Sequence, residues 1–473
     1  MSEDSKQSEA QSLPAQLDQD SEPKEKQPPH PVGAAIEKFV HRIRDAKVAG
    51  RVFVAAAFQA QIKRYEQNKE EVEASLKGFE SDDPQVRSAA LVRLLRAKRT
   101  FDRLHKSKPS EVIARSLFLG LFSAFDAFTG ELLHALFSRK PELYGSLDRT
   151  LSLKEIMTAR DIDAVKSAVL ADQIEAFRRK SYSEQFSELE RRFDLPLMSF
   201  PSWRHFIEAS QRRNLITHCD GVVSQQYIDQ CAAVGYASTD LPGLGQAVDV
   251  RSQYFLATCE LLIEVGTKLG HTLWRKTLPA ELDKADANLN ELLYDALYVE
   301  NWARAKVLGQ FAYDQKRFSS EHARRQFAIN FAQSLKWGGM DSDSNRILDS
   351  FDWSASSLEF RMAAAVLRNQ YDAAAGLMRQ IGKGSDLIHE TAYHTWPLFR
   401  EFNATAQFAA AYAEIFGYPF FRKVAESASA AAEQVNKLQA KSAEDEEGRS
   451  LEGRGEVEAG RAYDEERSDQ PNS

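Results

Sequence analysis

Residues Ser110–Ser138 read SEVIARSLFLGLFSAFDAFTGELLHALFS. Apolar side chains occupy most sides of this stretch, so a helix built from it has no wide polar face to give to water and belongs at the centre of a bundle. One carboxylate, Asp126, sits inside it. From Val32 onward nearly every other segment also places its apolar residues with helical period, and β-branched runs with strict alternation are scarce. Prolines at Pro84, Pro109, Pro141, Pro196, Pro201, Pro242 and Pro279 fall between these segments, where they punctuate helix ends. The fold class expected is all-α.

Before the central helix, residues 33–109 carry two or three amphipathic helices rich in Lys, Arg and Glu, an N-terminal helical segment. A central unit over 110–276 takes in a helix near 202–219 and closes on a long helix near 248–275. Past Pro279 the texture changes to shorter helix pairs with small residues at their crossings, over 280–434. There an aromatic is followed closely by Ala, in Trp302–Ala305 and Tyr371–Ala374. Small residues let antiparallel helices approach, and the pattern resembles tetratricopeptide-like or α-solenoid repeats, with two loose copies visible. The polar ends, 1–32 and 435–473, lack an apolar face and are expected to be disordered, the second being acidic.

Composition narrows the class without naming a chemistry. At 473 residues, with 43% apolar and 27% charged residues, the chain is long enough for several domains and has the balance of a soluble globular protein. Its start has no basic region and apolar core of a secretory signal, and the longest apolar stretch, Ser116–Phe125, is too short to span a bilayer. A cytoplasmic protein without membrane contact is expected. Three cysteines, Cys219, Cys231 and Cys259, have no paired C-x-x-C spacing, which argues against a disulfide framework and a zinc ribbon. The formal net charge of −8 exerts no global pull on nucleic acid, so any RNA contact needs a local basic patch.

The residues that carry chemistry lie in Gln211–Gly221, QRRNLITHCDG. Cleaving RNA without a metal needs a base for the 2′-hydroxyl proton, a cation for the charge gathering on phosphorus, and an acid for the leaving oxygen. An imidazole and a guanidinium supply these functions. On a helix Asn214 and His218 share a face, four residues apart, whereas Arg213 lies ~140° around from His218. A cleft between two such helices would let the groups converge, which favours a dimeric site.

The run R-N-x-x-x-H at Arg213–His218 resembles the Arg-x4-6-His signature of the HEPN superfamily, in which a polar residue commonly follows the Arg. The buried acidic helix around Asp126 resembles the opening helix of HEPN domains of the RiboL-PSP type, and CDGVVSQQYI with the apolar closing helix resembles the remainder. The resemblance covers roughly 110–276. It implies a four- to five-helix bundle that pairs face to face into one ribonuclease cleft, needing no cofactor or metal and leaving 2′,3′-cyclic phosphate ends. By the same resemblance Arg213 binds phosphate, His218 is acid or base, Asn214 orients one of them, and Asp126 holds Arg213 or tunes the site. Many members are toxins or phage-defence effectors, which makes RNA, with tRNA first by analogy, the expected substrate. The expected partners are a second copy through the HEPN domain and a regulatory protein through the C-terminal repeats.

Plainer readings compete. Trp203, Phe206, Ile207, Ser210, Asn214 and His218 form the stripe this helix would bury, making His218 a core histidine and Arg213 a surface charge. Asp126 could pair with a structural arginine such as Arg115 or Arg212. The chain could be a catalytically idle HEPN and helical-repeat protein that binds a nucleotide or a protein partner, or a helical scaffold. Two near-motifs drop out: His389, Glu390 and His394 are one residue too widely spaced for a zincin pair, and Gly376–Lys383 lacks the spacing and hydroxyl of a P-loop.

Overall fold

Prolines set where the first three helices begin. In this computed structural model, which describes residues 29–437 and 439 apart from 148, 149 and 386, α1 (Pro31–Phe79), α2 (Pro84–Lys106) and α3 (Pro109–Arg139) each carry Pro in the first turn. A missing N–H costs nothing there. They are followed by α4 (Leu153–Thr158), α5 (Ile162–Arg178), α6 (Tyr182–Phe193), α7 (Trp203–His218), α8 (Gln225–Ala233) and α9 (Ser252–Thr277). Next come α10 (Leu282–Tyr298), α11 (Trp302–Tyr313) and α12 (Glu321–Trp337). The fold is all-α, and the described residues hold no strand beyond two isolated bridges, Val222 with Ala247 and Gly384 with His389.

The chain divides into two compact units at 341/342, not near 280. In the first, α3 is the central helix: Phe118, Leu121, Phe122, Phe125, Phe128, Leu132 and Leu136 are all buried. By length and composition a window within 84–139 could cross a membrane, a longer span than Ser116–Phe125; 39% of it is buried, and the large side chains of α3 named above lie in the protein core.

The N-terminal segment shares that core. Ile36, Phe39, Val40 and Ile43 of α1 pack with Phe125 and Phe128 of α3, and two glycines of α9 let α1 come close. A Cβ on Gly266 would overlap the Phe39 ring, and one on Gly270 would stand 2.7 Å from Ile36. The described chain is already structured ahead of the expected boundary at 32. His30 caps α1 by accepting from the Val32 amide and stacks on Trp274, and Val32 is fully buried. The expected tails over 1–28 and beyond 439 lie outside the described residues, while 435–437 are still helical.

Helices α10–α12 complete the first unit, adding Leu289, Leu293, Leu297, Leu308 and Phe327 to the same cluster. The second unit takes in α13 (Asp341–Asp349) after its first residue, α14 (Leu358–Leu367), α15 (Tyr371–Ile381), α16 (Glu390–Thr395) and α17 (Ala406–Phe416). The recurring aromatic–Ala element opens α11 and α15, one in each unit. Both follow the same turn: Glu300 and Asn369 have left-handed backbones, and the next amides, of Asn301 and Gln370, reach back to the carbonyls of Ala296 and Ala365 at 2.9 and 2.8 Å. That is the Schellman helix stop.

Candidate active site

Helix α7 buries Phe206, Ile207, Ala209 and Ser210, half-buries Trp203 and Asn214, and turns Leu215 to another side. The chain leaves the helix through Cys219, Asp220 and Gly221, the last two with φ of +47° and +81°. Residues 221–223 then run antiparallel to 245–248, with Val223 N–H donating to Gln246 at 2.9 Å and Val248 N–H to Gly221 at 2.8 Å. A Cβ on Gly221 would stand 2.9 Å from the Val248 carbonyl oxygen, so close approach and positive φ both require glycine. Leu215, Val223, Tyr227, Cys231 and Val248 pack as a small core beneath. This anchored end leaves His218, the last residue of α7, exposed. The reading of His218 as a core histidine is thereby corrected.

Arg213 faces inward toward α3. Its guanidinium donates to Asp126 Oδ2 at 3.3 Å and to Asn214 Oδ1 at 3.0 Å, and lies about 6 Å from the ring centres of Phe122 and Tyr182. Tyr182, in the first turn of α6, donates its hydroxyl to Asp126 Oδ1 at 2.7 Å. From the end of α5, Arg178 donates to the Asp126 carbonyl oxygen at 2.9 Å. Burial holds the Asp126 carboxyl above its ordinary range, only partly offset by the Tyr182 hydroxyl and the charges of Arg213 and Arg178. Burial likewise pushes the Tyr182 hydroxyl well up, so it is the donor of this pair.

The other arginines have partners of their own. Arg212 turns about 100° around α7 from Arg213 and binds Glu208, which also accepts from Tyr227 at 2.8 Å and Tyr254 at 2.6 Å. Arg115 binds Asp220 at 2.6 Å. Neither pairs with Asp126, and Arg213 is not a free surface charge. His205 is tied to the Tyr236 hydroxyl at 2.7 Å. Because Arg213 meets Asp126 while Asp220 meets Arg115, α7 runs antiparallel to α3.

The structure therefore joins Arg213, Asn214 and Asp126 in one cluster and leaves His218 apart, five residues and about 7.5 Å of helix rise further on. With Arg213 and Asp126 side chains 28% and 29% exposed, the cluster is partly open to solvent. Tyr182 and Arg178 were missed by sequence reasoning. Their one local signal is the capping box from Ser181 to Glu184, which fixes the start of α6 and hence the position of Tyr182. In the second unit, Glu390 accepts from Tyr412 at 2.6 Å and from Tyr418, and His394 bonds the same Tyr412 hydroxyl, so these residues serve an aromatic cluster.

Compared with protein-family models, curated proteins and solved structures, the chain matches none.

Proposed function

We propose that the chain is a metal-independent endoribonuclease of the HEPN type, acting as a homodimer in the cytoplasm. The observation that carries this reading is a guanidinium, Arg213, held by Asp126 and Asn214 at a solvent-open cluster on the same helix as an exposed imidazole, His218. Arg213 takes the scissile phosphate and stabilises the charge of the pentacoordinate intermediate. His218 takes the 2′-hydroxyl proton, the 2′-oxygen attacks phosphorus, and the 5′-oxygen leaves with a proton from an acid across the cleft. The product ends are a 2′,3′-cyclic phosphate and a 5′-hydroxyl. Because His218 and Arg213 diverge on one helix, a second copy supplies the facing pair. Asn214 and Tyr182 position Arg213, the latter through Asp126. A toxin or phage-defence role, with tRNA as first substrate and a regulatory protein bound through the C-terminal helices, follows from the family resemblance.

Purified protein is expected to cut RNA in excess EDTA and to leave cyclic phosphate ends. Arg213→Ala and His218→Ala should each abolish cutting, and persistence of cutting in both variants would overturn the proposal. A second reading, a non-catalytic HEPN and helical-repeat protein that binds a nucleotide or protein, draws on Arg213 being already engaged by Asp126 and Asn214. It requires that no RNA be cut and that partner binding survive His218→Ala.

A further inference from the structure

Charge is distributed unevenly on the hairpin formed by α1 and α2. The outer part of α1, residues 51–79, is nearly balanced, with five Lys or Arg against four Glu. Helix α2 carries seven Lys or Arg against the single acid Asp102, in a chain whose formal net charge is −8. All seven cations are exposed.

Ala90, Ala97 and Leu104, buried at seven-residue spacing, set the seam of α2. At ~100° per residue, Arg96, Arg99, Arg103 and Lys106 fall within an ~80° arc on the side away from that seam, along ~15 Å of helix. Their spacing of three, four and three makes each a like-charge neighbour of the next, an arrangement that weakens a helix. Among the described residues none of the four has a hydrogen bond or ion pair to offset the repulsion. A row of unpaired cations on an acidic protein is complementary to a row of anions.

Of the exposed apolar residues of α2, Val86, Leu91, Val92 and Leu95 precede the four cations along the helix, and Phe101, level with them, turns its ring to Tyr65 of α1. A helix lying in a membrane surface needs its apolar face along its whole length, so a phosphate backbone fits better than a lipid surface. Position points the same way. Helix α2 leads through Ser107 and Lys108 into α3, where Arg115, about 9 Å along that helix, binds Asp220 beside His218.

We propose that α2 is a docking face for single-stranded RNA, with Arg96, Arg99, Arg103 and Lys106 set against successive phosphates, and that it directs the strand toward the His218 end of the candidate site. The choice of RNA as the polyanion rests on the ribonuclease reading.

The test uses full-length protein in the His218→Ala background and a fluorescein-labelled single-stranded RNA followed by anisotropy in EDTA. Combined Arg96→Gln, Arg99→Gln, Arg103→Gln and Lys106→Gln should weaken binding by at least about tenfold and reduce the slope of log K against log salt by about 3. A control removing the same charge from α1, Lys63→Gln, Arg64→Gln, Lys69→Gln and Lys77→Gln, should bind like its parent, and circular dichroism should show both variants folded. Unchanged RNA binding in the α2 variant, equal loss in the two variants, or binding of phosphatidylglycerol vesicles with none of RNA would each overturn the proposal. Binding that depends on α2 without cutting by the unaltered protein defeats the ribonuclease reading alone. Cutting with no dependence of binding on α2 defeats the docking proposal alone.

Discussion

At Asp126 two opposing influences meet. Burial disfavours the carboxylate, while the Tyr182 hydroxyl and the Arg213 and Arg178 charges favour it, and burial prevails, leaving the group above its ordinary value of 3.8. A carboxyl that binds its proton more tightly when folded contributes stability below its unfolded value and loses it as pH rises through the folded value. Tyr182→Phe and Arg213→Ala each remove a stabiliser of the anion, so each should move the Asp126 midpoint further up. Carbon NMR of the side-chain carboxyl against pH measures this, and a downward move in either variant would contradict the geometry described. The partner of Asp126 was readable in sequence only as a short set of arginines. Arg212 and Arg213 are adjacent, and the ~100° between them sends one to Glu208 and the other to Asp126.

The helices themselves were more legible than their contacts. The apolar run of α3 announces a central helix because no other placement hides so many large side chains. The buried stripe of α7 follows its period as far as Ser210, with Asn214 half-buried; its extension to His218 fails because Asp220 and Gly221 turn the chain out and the 245–248 segment holds it there. The close crossing of α1 over α9 has no comparable signature, since Gly266 and Gly270 look like weak helix formers until Phe39 and Ile36 are found against them. Gly266→Ala should destabilise the protein by about 1–3 kcal/mol in urea titration, because its methyl overlaps the Phe39 ring. Gly120→Ala, on an exposed part of α3 with nothing within 4 Å, should be neutral or gain about 0.5–1 kcal/mol from helix propensity. Equal effects at the two positions would refute the packing account.

Across the first unit, Glu260 of α9 ties three helices, binding Arg304 of α11 through both oxygens at 2.7 and 2.8 Å and also Lys47 of α1. Burial pushes this carboxyl up, but the bonds and charges of Arg304 and Lys47 outweigh it and hold the group down to about 2. A depressed carboxyl stabilises the fold above its unfolded value of 4.5, and that contribution disappears as pH falls toward about 2. Glu260→Gln should flatten the acid limb of stability across this window. It should also cost about 3–5 kcal/mol at neutral pH, since Arg304, 6% exposed, keeps its charge without a full partner. Thermal unfolding across pH measures both, and an acid limb unchanged in the variant would defeat the assignment.

Helical period, proline placement and capping residues act over a few neighbours, and they suffice for the all-α class, most helix positions and the Arg213–Asn214–His218 run. What they leave open is every choice made over long separations. The boundary at 341/342, the entry of α1 into the core, the pairing of Arg213 with Asp126 across 87 positions, and the exposure of His218 all depend on which helix faces meet. Those meetings are settled by burying apolar surface and satisfying buried charges together, a condition on the folded chain as a whole that no short segment contains.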